Sequence, residues 1–112
     1  MSVLSEQLVL QYTVSLYLLR AIELDRHNTE QLRLGRAWQK WMEELSIRIE
    51  KEHIFIKKTM KRTRIRILEL KLLPSKMTEV HYMEEERYCQ ITFFGERIRG
   101  LCEEMLLHLC YN

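Results

Sequence analysis

A chain of 112 residues, 46% hydrophobic and 30% charged, fits one domain with a core of its own and excludes a disordered tail. Its 18 basic and 16 acidic side chains leave a formal charge of +2, so affinity for nucleic acid would have to come from local clustering. Only three glycines, Gly35, Gly95 and Gly100, and one proline are present, which argues against the glycine-rich phosphate loops of the common nucleotide-binding folds.

Residues 3–25 predict a first helix. Leu4, Leu8, Val9, Tyr12, Leu16, Leu19 and Ile22 make it apolar on nearly every side, so several neighbours or a second subunit must bury it. Residues 8–18 also alternate, as a strand would. The helix-favouring run Leu18–Leu24 follows without a turn residue and decides for one helix. Gln11, Thr13, Ser15, Arg20 and Glu23 interrupt the apolar run, so no membrane span is expected. The N-terminus Met1-Ser2-Val3-Leu4-Ser5-Glu6 lacks the cationic start of a secretory signal. Cys89, Cys102 and Cys110 are odd in number and form no CxxC, which suits a reducing compartment. Cytoplasm is the expected location.

Asn28 is the expected N-cap of a second helix, with Gln31 at the third position of a capping box. Leu34, Trp38, Met42, Leu45, Ile49, Ile56 and Met60 recur at helical spacing as one stripe, and Trp41 widens it. Arg33, Arg36, Lys40, Lys51, Lys58 and Arg62 take the other side, interrupted by Glu43, Glu44 and Glu50. A helix over 29–62 would be about 50 Å long at 1.5 Å per residue. The competing reading ends it near Leu45 and makes residues 46–58 a hairpin. Its absent Gly or Asn turn favours the helix.

After Arg62 the period changes. Arg64 to Leu72 alternates with one phase slip at Leu68, which fits either a bulge or a continuing helix. Pro74-Ser75-Lys76 marks a turn. Residues 79–82 and 88–94 then form a hairpin around Glu84-Glu85-Glu86-Arg87. Ile98, Leu101, Cys102, Met105, Leu106 and Leu109 stripe a last helix over 96–110. The fold class is α+β: two N-terminal helices, the second long, then a small antiparallel β-meander and a C-terminal helix. An all-α helical bundle is the alternative.

Few constellations carry chemistry. Glu50 and His53 have the i,i+3 spacing of di-iron bundles, but one copy cannot complete such a site, so His53 is expected to fill a gap in the apolar stripe. Cys102 is expected in the core and Cys110 at a fraying terminus. Neither has an adjacent base, and no serine has a nucleophile-elbow context. No cofactor and no small-molecule substrate is indicated. Trp38 and Trp41 are expected to pack in the core, with a partner-binding anchor as the alternative. Lys57, Lys58, Lys61, Arg62, Arg64 and Arg66 place six cations in ten residues at the helix-to-strand joint. They could neutralise phosphates, or simply complement the dipole at a helix C-terminus. The partners these features point to are another protein, a second copy of the chain, or nucleic acid. A non-catalytic interaction or regulatory protein, homodimeric, is the first reading, and a nucleic-acid-binding accessory protein the second.

Overall fold

The computed structural model describes residues 3–111, with the backbone alone at Glu30. Met1 and Ser2, the start of the segment read above for a secretory signal, lie outside the described residues, as does Asn112. The order is α1 (Val3–Asn28), a single 3-10 turn (Thr29–Gln31), α2 (Gly35–Arg62), β1 (Ile65–Leu72), β2 (Met77–Glu84), β3 (Arg87–Phe94) and α3 (Gly95–Tyr111). This is the expected α+β arrangement, and residues 46–58 are helix rather than hairpin.

The start of α2 differs from expectation. Asn28 is the last residue of α1, with helical φ −75° and ψ −17°, and its side chain caps nothing. Thr29 is buried and its hydroxyl donates to the Arg26 carbonyl at 2.8 Å, which ties the chain to the end of α1. The chain turns through Leu32–Leu34, and α2 begins at Gly35. Its 28 residues span about 42 Å.

The three strands form one antiparallel sheet in chain order, with β1 and β3 at the edges. Ile65 pairs with Glu84 and Ile67 with Tyr82. Leu68 is skipped, and pairing resumes at Glu69 opposite His81. This bulge explains the phase slip. It absorbs the extra residue and returns Leu70 to the face already occupied by Ile65 and Ile67.

That face carries Val80, Tyr82, Cys89 and Phe93. It packs on Leu8, Val9 and Val14 of α1, Ile56 and Met60 of α2, and Ile98 of α3. A second cluster lies farther along the helices, where Leu18, Ile22, Leu45 and Ile49 meet Leu106, Leu109 and Cys110. Cys110 therefore packs against the core, contrary to the expectation of a fraying end, because α3 runs alongside α2. The Arg48 guanidinium donates to the Leu109 carbonyl at 2.9 Å.

Among the described residues, three non-glycine residues adopt left-handed backbone: Arg64 (φ 60°), Lys76 (φ 62°) and Glu85 (φ 58°). Each sits at a reversal of the chain that lacks the usual glycine or asparagine. Glu84 and Arg87 are strand residues paired with each other, so the tip itself is only Glu85-Glu86. Glu84 is half-buried and accepts from the Ser5 hydroxyl at 2.5 Å, so it belongs to the packed strand and not to the exposed tip.

Candidate interaction surfaces

The α2 stripe is continuous in sequence but not in cover. Leu45 is 3% exposed and Ile49 is 0% exposed, whereas Trp38 is 44%, Trp41 43% and Leu34 68% exposed. The four within α2, Trp38, Trp41, Leu45 and Ile49, lie on the same side of the helix at 100° per residue. Trp38 and Trp41 lie in the first two turns of α2. Trp38 and Trp41 meet edge to face there, ring centroids 5.8 Å apart, beside exposed Leu32 and Leu34. The expectation that the tryptophans pack in the core fails, because each keeps more than two-fifths of its surface exposed.

The six cations of the joint divide. Lys57, Lys61, Arg64 and Arg66 line one open cleft of about 670 Å³. Lys58 and Arg62 face another side of α2 with Phe55, and Lys61 borders both sides. Arg64 is not in the strand. It forms the joint, and Arg66 lies on β1 opposite Met83. The floor of the cleft is Tyr12, Met60, Ile65, Ile67 and Met83, and Glu85 and Glu86 complete its lining. The tip reaches this place because the Glu85 N–H donates to the Arg64 carbonyl at 2.8 Å. Among the described residues none of the four cations forms an ion pair within 4.0 Å.

Two histidine arrangements were not legible as sites. His53 fills a gap in the stripe, as expected, and also meets fully buried Ser15, with Nδ1 2.6 Å from the hydroxyl. Ser15 donates to the Tyr12 carbonyl at 3.0 Å, so Nδ1–H is the donor to Ser15. With its hydroxyl so occupied, Ser15 is a structural partner rather than a nucleophile. Burial, and then Lys57, lower the His53 pKa from 6.5, while Glu50 pulls it the other way. On the opposite face of the sheet, His81 Nε2–H donates to Glu79 Oε1 at 2.5 Å, and the Tyr88 hydroxyl bonds His81 Nδ1. The strand period of two puts Glu79 and His81 on one face. The hairpin register that brings Tyr88 across from β3 is the part a sequence pattern does not give.

The YhjD protein family matches residues 4–112, and the chain belongs to that family. No curated protein and no solved structure matches it significantly. No helix among the described residues is long and apolar enough to cross a membrane.

Proposed function

We propose that this chain is a small non-catalytic interaction protein of the cytoplasm that works as a homodimer. The observation that carries the reading is the half-exposed pair Trp38 and Trp41 at the start of α2, on the stripe whose Leu45 and Ile49 are buried. Tryptophan at the centre of an apolar patch is the residue type most enriched at binding hot spots. An isologous two-fold contact would lay one hairpin on its copy and complete a four-helix arrangement.

The exposed area supports the same reading. A folded monomer of 13.7 kDa exposes about 6,600 Å² by the usual scaling. This chain exposes 8223 Å². The excess of about 1,600 Å² lies within the roughly 1,000–2,500 Å² that each protomer contributes to an obligate homodimer. Its three cysteines are all free, which suits a reducing compartment.

Sedimentation equilibrium over a range of concentrations tests the reading. The chain is expected to be dimeric, and Trp38→Ala with Trp41→Ala to shift it to monomer with its helix content kept. A strict monomer at high concentration would sink the homodimer.

Nucleic-acid binding is the second reading, favoured by the four cations gathered in one cleft. Glu85 and Glu86 in the same lining weigh against a continuous track of phosphates there.

A further inference from the structure

We infer that the cleft at the α2–β1 joint binds an extended acidic peptide bearing apolar side chains, laid along the free edge of β1. Three observations meet in this place.

The first is charge. Lys57 and Lys61 come from the last turns of α2, Arg64 from the joint and Arg66 from β1, so four cations from three local structures border one cleft. Their lack of ion pairs among the described residues leaves them available to carboxylates. Arg64 is fixed in position by its left-handed backbone, whose N–H donates to the Lys61 carbonyl at 3.2 Å and whose carbonyl accepts from Glu85.

The second is the floor. Met60 and Ile65 are buried, and Tyr12, Ile67 and Met83 are half-buried. Aliphatic and thioether surface of this kind takes aliphatic side chains, and methionine adapts to varied ones. It offers one aromatic ring, and Tyr12 already packs against His53 with centroids 5.0 Å apart. A base-stacking platform for single-stranded nucleic acid ordinarily uses several.

The third is the edge. Four consecutive residues, Arg64 to Ile67, line the cleft, so it follows the side of the chain rather than one face of the strand. β1 pairs only with β2, which leaves the backbone groups of its other side open to an added strand. The bulge at Leu68 ends the regular edge and confines the added strand to the cleft. Glu85 and Glu86 repel a uniform polyanion, while a peptide can place a neutral or basic residue opposite them.

The test uses the full chain and fluorescence anisotropy with a labelled hexapeptide alternating glutamate and leucine. Saturable binding is expected, severalfold weaker when salt is raised from about 0.05 to about 0.3 M, since exposed charges are screened. Lys61→Gln with Arg64→Asn should weaken it about tenfold or more. Asparagine tolerates the left-handed backbone, so the joint survives. Lys40→Gln, a charge removed elsewhere on α2, should leave it unchanged. Amide resonances of Arg64 to Ile67 should shift on titration. A polyglutamate of equal length binding as tightly would overturn the role of the floor. Tighter binding of a short oligothymidylate would give the cleft to nucleic acid. No binding of the hexapeptide, or unchanged binding in the double variant, would overturn the inference.

Discussion

His53 shows how one buried polar side chain makes stability depend on pH. Burial lowers its pKa in the folded chain below 6.5, the value expected when unfolded. The unfolded chain therefore takes the proton more readily. The neutral imidazole's contribution is complete above about 6.5 and is lost as the pH falls toward the folded value. The thermal midpoint should drop between about pH 7 and about pH 5, and His53→Gln should flatten that drop. A parallel pH profile in the variant would show that other groups control the transition. Gly95 is constrained by space rather than by its φ. A Cβ there would lie 2.4 Å from the Lys76 carbonyl oxygen, which already accepts the Gly95 N–H at 3.0 Å. Gly95→Ala is expected to cost about 1–3 kcal/mol in denaturant unfolding, as other overpacked sites do. Tyr82 marks the centre of the sheet core. It is fully buried, and burial, with Cys89 next in effect, pushes its phenol up to about 12.

At the level of elements, the α2–β1 joint and the β1 bulge are the devices that change the chain's period. Arg64 occupies a backbone region that costs most residues roughly 1–2 kcal/mol. Arg64→Asn should therefore hold or raise stability, while Arg64→Val should lower it by about that amount. Equal effects of the two would mean that the side chain, not the backbone, stabilises the joint. Leu68 has no partner on β2, and its removal leaves Ile65, Ile67, Leu70 and Leu72 on one face. Deleting Leu68 should change unfolding free energy by under about 1 kcal/mol. Deleting Arg66, which pairs with Met83, shifts the flanking isoleucines out of phase and should cost several times more. Similar losses in both would contradict the bulge as an absorbed insertion.

At the scale of the molecule, the chain is extended. Its radius of gyration is 15.5 Å, against about 13 Å for a compact domain of its length. The two proposed surfaces lie toward opposite ends of α2. Trp38 and Lys61 are separated by about 35 Å of helix at 1.5 Å per residue. Self-association and peptide binding should thus be separable by mutation. A dimer stabilises its own fold by mass action, so the thermal midpoint should rise with protein concentration. In Trp38→Ala with Trp41→Ala that dependence should vanish, and amide exchange should quicken in the upper parts of α1 and α2 while the sheet keeps its protection. A concentration-independent midpoint in the unmodified chain would argue against the dimer.

Local pattern determined much of this. The spacing of Leu45, Ile49, Ile56 and Met60 made α2 a helix, alternation made the three strands, and the slip at Leu68 was visible, though the strand register decided that it is a bulge. These are properties of neighbouring residues, and the period of each element is enough to reveal them. The six cations of residues 57–66 were legible as a cluster. Tertiary structure decided which four of them line one cleft, because that depends on a hairpin tip some twenty residues away bonding to Arg64. It also decided the fate of Trp38 and Trp41. Their stripe is as apolar as the part that is buried, yet Leu45 and Ile49 are enclosed while Trp38 and Trp41 stay almost half exposed. Helix and strand follow from local period, whereas cover is a property of what else the chain brings alongside.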